Sequence, residues 1–244
     1  MIVLFTDFGP TGPYVGQVTA AIWRHAPGAR IVELFSDLPA HDPKAAAYLL
    51  PAYAGEFPAG TVFLCVVDPG VGGGRSAGIL HADGCWYVGP GNGIFELVVR
   101  RARATPRWWE IKVDAEAISA SFHGRDVFAP AAARLARGEV PDGPEAARGP
   151  IRRLEWPDDL PEVVYVDRFG NVMIGLRAAS LPPGATIGVG GIPLIRARTF
   201  SDVPEGAPFW YENANGLVEI AVNRGRADEM MGLRVGKTIE VTHM

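Results

Sequence analysis

Residues 61–75 constrain this chain more than any other stretch. Thr61 to Val67 is a near-continuous apolar run, and it ends abruptly in Asp68-Pro69-Gly70-Val71-Gly72-Gly73-Gly74-Arg75. A strand that is apolar on successive residues must be covered on both faces, as in a parallel sheet between helical layers. Pro69 cannot donate to a ladder, and the glycines that follow favour a turn over a strand. A carboxylate, Asp68, is thereby placed at the carboxyl end of a central strand, beside nearly bare backbone and an arginine. Ligands of open α/β sheets bind at that end. Read alone, the same residues serve equally well as a capped turn with a solvated arginine, so the other loops of the chain decide between the two.

Those loops follow a pattern. Ile2 to Thr6 reads as a strand ending at Asp7-Phe8-Gly9, and Tyr14 to His25 as a helix with Val15, Val18, Ala21 and Ile22 on one face. Ile31 to Phe35 is a second strand, and Asp42-Pro43 caps a helix over Lys44 to Tyr53. The order β-α-β-α-β with right-handed crossovers makes a mostly parallel sheet. Ser76–Leu80 and Trp86–Val88 form a hairpin around Asp83-Gly84. Gly89-Pro90-Gly91-Asn92-Gly93 leads to a helix at 94–101, and Trp108–Val113 is a strand. Ser121-Phe122-His123-Gly124-Arg125-Asp126 reads as a polar loop before a helix at 127–137.

From Gly138 to Pro161, eight of 24 residues are Gly or Pro and no apolar period survives. Beyond it only short strands are expected, at 163–166, 172–176, 186–189, 192–195, 217–222 and 238–242, the spacing of a small sandwich or barrel. The expected organisation is an α/β domain over 1–140, a linker over 141–161 and an all-β, barrel-like domain over 162–244.

Composition removes several functional classes. A net charge of -4 argues against nucleic acid. No apolar run approaches the ~20 residues of a membrane span, and the first residues lack a basic n-region and a cleavage site. Cys65 and Cys85 both fall in strands without CxxC spacing, as buried thiols of a reducing compartment do, so the cytoplasm is expected.

Polar groups set among glycines occur at Asp7, at Asp68 with Arg75, at Asn92, and at His123 with Arg125 and Asp126. Glycine there lets backbone approach a ligand closely. None of these loops is a nucleotide motif. Gly70–Ser76 has the wrong spacing, carries Arg in place of Lys and leads to a strand, while 89–93 lacks G-x-G-x-x-G and follows a hairpin. Histidines at 25, 41, 81, 123 and 243 have no ligand-spaced companions, so no metal site is expected.

Taken together, Thr6-Asp7-Phe8-Gly9, Val67-Asp68-Pro69-Gly70-Val71-Gly72 with Arg75, Gly89-Pro90-x-Asn92-Gly93, Phe122-His123-Gly124-Arg125-Asp126, Asp167-x-Phe169-Gly170-Asn171 and Gly216 to Asn223 resemble the adenosine-forming S-adenosylmethionine hydrolase family, also called S-adenosylmethionine hydroxide adenosyltransferases and kin to fluorinase and chlorinase. The resemblance spans nearly the whole chain in order. It implies an α/β domain, a barrel-like β domain, a homotrimer with interface sites, and attack of water or hydroxide on the ribose C5′ of S-adenosylmethionine to give adenosine and methionine, with no cofactor. It implies a catalytic set of Asp68, Arg75 and His123. It implies substrate contacts from Asp7 to the ribose, Asp167 to the methionine ammonium and Asn171 to the adenine, with Phe8, Asn92, Phe169 and Asn213 around them. Two departures stand out: Gly91, where the family usually has Asp, and Asn213-Ala214-Asn215, where Ser is common. A halogenase on the same scaffold and a non-catalytic adenosine- or S-adenosylmethionine-binding module are the alternatives. Asp68 would repel a halide, and mere binding does not require all three of Asp68, Arg75 and His123.

Overall fold

A computed structural model describes residues 1–114, 116 and 118–242, so His243 lies outside the described residues. The chain divides into two compact units, Met1–Arg153 and Leu154–Met244. No helix among the described residues is long and apolar enough to cross a membrane.

The first unit is built on a six-stranded sheet of β1 (Ile2–Thr6), β2 (Ile31–Phe35), β3 (Val62–Val66), β4 (Ala77–Ala82), β5 (Cys85–Pro90) and β6 (Arg107–Glu110), in the order β2-β1-β3-β5-β4-β6. The first four in that order are parallel, while β4 runs antiparallel to both its neighbours. β1 and β3 are buried at every residue, as their apolar runs demand. Helices α1 (Tyr14–His25) and α4 (Ala129–Ala136) cover one face through Val18, Ile22, Ala132 and Ala133. On the other face, α2 (Pro43–Ala54) packs beside α3 (Glu96–Arg101) over a chain of edge-to-face rings, Phe5–Phe35–Tyr53. The Asp42 cap forms as expected, its carboxylate accepting the Ala45 N–H at 2.9 Å. In the β4–β5 turn, Asp83 and Gly84 both take positive φ, 47° and 81°.

The segment before α4 departs from the loop expected there. His123 lies at the head of a wide helical turn over Gly124–Phe128, closed by the Ala129 N–H on the Gly124 carbonyl. Pro130 has no N–H for the Asp126 carbonyl, so the α-helical ladder is interrupted at that turn.

The second unit contains a five-stranded sheet, β11-β12-β13-β8-β7, and a three-stranded sheet, β10-β9-β14. The strands are β7 (Val163–Val166), β8 (Val172–Arg177), β9 (Thr186–Val189), β10 (Ile192–Pro193), β11 (Ile195–Arg196), β12 (Pro208–Glu212), β13 (Leu217–Val222) and β14 (Glu240–Thr242), with a short helix α5 (Ala227–Met231). Pairing is antiparallel except between β11 and β12. The expected single strand at 192–195 is split, because β10 joins one sheet and β11 the other. β12 was not foreseen.

The Gly- and Pro-rich stretch is divided between the units. Ala146 donates to the Trp108 carbonyl at 2.8 Å and Ile151 to that of Gly91 at 3.2 Å. Glu96, with a fully buried side chain, accepts from Arg100 (2.8 Å), Arg152 (2.9 and 3.0 Å) and the Arg153 N–H (2.8 Å). Burial alone would raise its pKa, but the hydrogen bonds from Arg152, Arg153 and Arg100 outweigh that and bring it to about 2. Glu96→Gln is therefore expected to lower the unfolding free energy by about 2 kcal/mol at pH 7, the range for hydrogen bonds to charged groups. A depressed pKa stabilises above the ordinary range and loses its contribution as pH falls. In urea titrations the gap between wild type and variant should thus be full above pH 4.5 and close as pH approaches about 2.

Candidate active site

Strand order and register bring the candidate residues to one edge. The crossovers from β1 go to β2 on one side and on to β3 on the other, so β1 and β3 flank a topological switch point. Thr6 lies opposite Val66. Asp7, one residue beyond Thr6, and Asp68, two beyond Val66, therefore leave the sheet at the same end of neighbouring strands, and the Asp7 N–H reaches the Val66 carbonyl at 3.3 Å. β5 ends beside them, and Asn92 donates from Nδ2 to the Val67 carbonyl at 2.9 Å.

Asp68, Arg75 and His123 meet. Arg75 Nε lies 3.0 Å from both Asp68 oxygens, and Nη2 is 2.6 Å from Oδ2. The same Nη2 is 2.8 Å from His123 Nδ1. The side chains of Arg75 and Asp68 are only 8% and 4% exposed, and His123 is buried. Beneath the guanidinium, the Phe128 ring centroid is 5.4 Å away. An arginine can only donate, so Nδ1 must accept and the neutral ring carries its proton on Nε2. Burial, followed by the charge of Arg75, lowers the His123 pKa against the opposing pull of Asp68 and Asp126. Asp126 is occupied elsewhere, bound by Arg125 at 2.6 Å and by the Ser119 N–H at 3.0 Å.

The bare loop leaves the cluster its room. Gly72 has φ +75°, and a Cβ there would lie 2.4 Å from the Ala120 carbonyl oxygen. A Cβ on Gly91 would lie 2.2 Å from Ser76 Oγ, so Ser76 fills the space a side chain at 91 would need.

Asp7 accepts the His41 N–H at 2.9 Å, with His41 in the left-handed region at φ 61°. Burial raises the Asp7 pKa, and nearby Asp68 adds to the rise. Phe8, Tyr14 and Phe122 form a cluster of rings with centroids 5.4–6.1 Å apart. Asn92 is a clamp, since its Oδ1 also accepts the Ile94 N–H at 3.2 Å. A cleft of about 780 Å³ elsewhere in this unit is lined by Trp109, Pro130, Leu135 and Pro141 and by none of Asp68, Arg75 and His123.

The remaining candidates lie in the second unit. Asp167 closes its own turn: Oδ1 accepts the N–H groups of Phe169 (2.8 Å) and Asn171 (2.9 Å), and Oδ2 accepts Asn171 Nδ2 (2.9 Å). Phe169 projects at 67% exposure, with Arg168 stacked 5.7 Å from its ring centroid. Asn213 is buried and bonded to Glu219, a residue the sequence reading passed over. The available signal was a lone charge inside the apolar run Leu217–Val222. Among the described residues, no three His, Cys, Asp or Glu side chains converge as a metal-holding group.

The hydrogen bond from Arg75 makes a specific expectation for His123. In ¹H–¹⁵N long-range spectra it should show the Nε2–H tautomer at pH 7 and titrate below the ordinary value of 6.5. A midpoint above that value would mean that Arg75 does not hold Nδ1.

Comparison with known proteins gives the family of the chain. Residues 2–143 match the SAM hydroxide adenosyltransferase N-terminal domain, and residues 161–240 match the C-terminal domain of the same family. A protein of Thermus thermophilus named (R)-S-adenosyl-L-methionine hydrolase is 42% identical, the match covering 98% of each chain. One of the same name from Salinispora arenicola is 36% identical over 97% of this chain and 95% of its own. Among solved structures, a conserved protein of Thermotoga maritima superposes with a TM-score of 0.85 at 30% identity over the full length of both chains. A conserved hypothetical protein from Thermus thermophilus gives 0.77 at 38% identity over 99% of each. By the match of both its domains, the chain belongs to the SAM hydroxide adenosyltransferase family.

Proposed function

We propose that this chain hydrolyses S-adenosyl-L-methionine to adenosine and L-methionine. The observation that carries the reading is the buried bridge of Arg75 between Asp68 and His123, at the switch point of a chain whose full-length relatives bear the hydrolase name. Water or hydroxide attacks the ribose C5′. The O–C5′ bond forms as the C5′–S bond breaks, and the electron pair neutralises the sulfonium. The leaving group is a neutral thioether, so it needs no acid. The attacking water must be oriented and must lose a proton. His123 is poorly placed to take that proton, because Nδ1 is engaged by Arg75 and Nε2 is protonated. Asp68 keeps lone pairs beyond those given to Arg75, so it orients the water and draws its proton, and its charge suits the adjacent sulfonium. Arg75 stabilises the developing hydroxide, and His123 donates to it from Nε2.

For binding, Asp7 takes the ribose hydroxyls and Phe8 the nucleoside face. Asp167 takes the methionine ammonium, its three internal hydrogen bonds leaving capacity for a fourth. Asn171, Phe169 and Asn213 complete the substrate contacts, and Asn92 acts by holding the end of β3. The reaction calls for no cofactor. The two buried free thiols support a cytoplasmic setting.

The direct test is incubation of the purified protein with each sulfonium epimer of S-adenosylmethionine, because the relatives are named for the (R) form. Adenosine and methionine in equal amounts are expected. A 5′-halo-adenosine formed in chloride or fluoride would replace this reading with the halogenase one. Asp68→Asn should lower kcat by about 10³-fold, within the range for general-base groups, and leave the substrate Kd within about threefold. Parallel losses in both would make Asp68 an anchor.

A homotrimer with each site shared between neighbouring subunits is the assembly proposed, which light scattering would check. Dissociating and reassembling Asp68→Ala with Asp167→Ala chains should then restore about a quarter of wild-type activity, the chance that an intact α/β domain meets an intact β domain. No recovery would place each site within one chain.

A further inference from the structure

The middle of the five-stranded sheet holds one residue that packing does not explain. Leu217–Val222 is buried at every position, and Glu219 sits within it at 3% exposure. Alternation sends Val218, Ile220 and Val222 into the main core with Trp210. Ala221 points the other way, into a small cluster with Phe209, and Glu219 shares that second face. It lies opposite Tyr211 on β12 and Met173 on β8. If packing were all this position required, a valine would serve, because a carboxylate taken out of water needs compensating hydrogen bonds.

Two neutral donors supply them. The Tyr211 hydroxyl donates to Oε1, and Asn213 Nδ2 donates to Oε2 at 2.9 Å. The amide cannot turn over, because its Oδ1 accepts the N–H groups of Asn215 and Leu217, each at 3.0 Å. Glu219 therefore sets the direction of the Tyr211 hydroxyl and anchors the 213–217 turn. It does so on the wall of a cleft. Asp167, Phe169, Asn171, Tyr211, Glu219 and Arg224 line a space of about 640 Å³ within this unit. Burial raises the Glu219 pKa, the bonds from Tyr211 and Asn213 oppose that, and Asp167 adds to the rise.

We infer that Glu219 is a positioning residue for the substrate, acting through the Tyr211 hydroxyl on the wall of this cleft and through Asn213 on the turn at 213–217. A hydroxyl that has given its proton to Glu219 can only accept from anything else. Asp167, Arg224 and Arg226 line the same cleft, so its charge is mixed, and what the Tyr211 oxygen selects is a ligand group that donates N–H. Glu219 touches no reacting atom. The inference rests on the substrate reading above for what enters the cleft.

Glu219→Gln is the informative change. It keeps the shape and the bond from Asn213, but its Nε2–H donates to the Tyr211 oxygen and turns that hydroxyl into a donor. The expected result is a Kd for S-adenosylmethionine raised about tenfold by calorimetry, with kcat at saturation within about threefold and Tm within a few degrees of wild type. A purely structural role would move Tm and leave Kd alone. Tyr211→Phe should also weaken binding, and in the Glu219→Gln background it should add little. A Kd within threefold of wild type for Glu219→Gln, or losses that multiply in the double variant, overturns the inference. If the Gln variant does not fold, an unchanged Kd in Tyr211→Phe overturns it as well. Wild-type protein that binds S-adenosylmethionine without hydrolysing it removes the hydrolase reading and leaves Glu219 to be judged on Kd. Wild-type protein that does not bind it removes both.

Discussion

The Arg75 guanidinium, taken almost wholly out of water, dictates what surrounds it. A buried cation needs a full negative charge and a partner for its remaining N–H groups. Asp68 supplies the charge through both oxygens, and His123 Nδ1 takes a further donor. The requirement then spreads outward. His123 must stay neutral with its proton on Nε2, and the Phe128 ring takes the face of the cation. The loop between Asp68 and Arg75 must double back within seven residues. Gly70 comes close enough that a Cβ would lie 3.4 Å from Arg75 Cγ, and Gly72 presses on the Ala120 carbonyl. Gly70 and Gly72, in a loop that fails the spacing of a phosphate loop, are explained by the return path of one side chain.

The sheet converts that local demand into a place. Because β1, β3 and β5 are adjacent and parallel, their carboxyl ends deliver Asp7, Asp68 and Asn92 side by side. Asn92 ties the end of β3 through the Val67 carbonyl, and Arg153 Nη2 in turn donates to the Asn92 carbonyl at 3.2 Å. Arg153 also gives its backbone N–H to Glu96. A continuous line of hydrogen bonds thus runs from the Glu96 cluster to the residue before Asp68. The segment around 150–153 is part of the support for the site.

Much of this was legible in the sequence, for physical reasons. Fully apolar runs bounded by Asp, Gly and Pro located β1, β3 and the polar residues at their carboxyl ends, and Asp42-Pro43 located the start of α2. What was not legible depended on partners distant in sequence. Pro208-Phe-Trp-Tyr-Glu does not read as a strand until β13 lies beside it. The run at 192–195 reads as one strand until Pro193 and Ile195 are seen to pair in different sheets. His123 reads as loop because Gly124 and Pro130 both weaken a helical pattern, and only packing keeps the turn helical. At Asn92, Asp167 and Asn213 the sequence marked polar residues in turns, but the internal bonds of their side chains emerge only from the fold.

Three buried carboxylates show how surroundings assign roles to one chemical group. Glu96 faces three arginines, two through their side chains and one through its backbone, and its pKa falls to about 2. Its charge is saturated, so it can only hold structure. Glu219 faces two neutral donors and a nearby Asp, and its pKa rises. The groups bonded to it carry no charge, so its effect is to orient the dipoles around it. Asp68 lies between these cases. One guanidinium holds it, and that guanidinium is shared with an imidazole, which leaves the carboxylate both fixed in place and able to accept further hydrogen bonds. In the proposed reaction Asp68 meets a water molecule and a sulfonium in one step, and that role needs this combination. Saturation of the kind seen at Glu96 would leave it inert, and the neutral surroundings of Glu219 would leave it without a cation to stabilise a developing hydroxide.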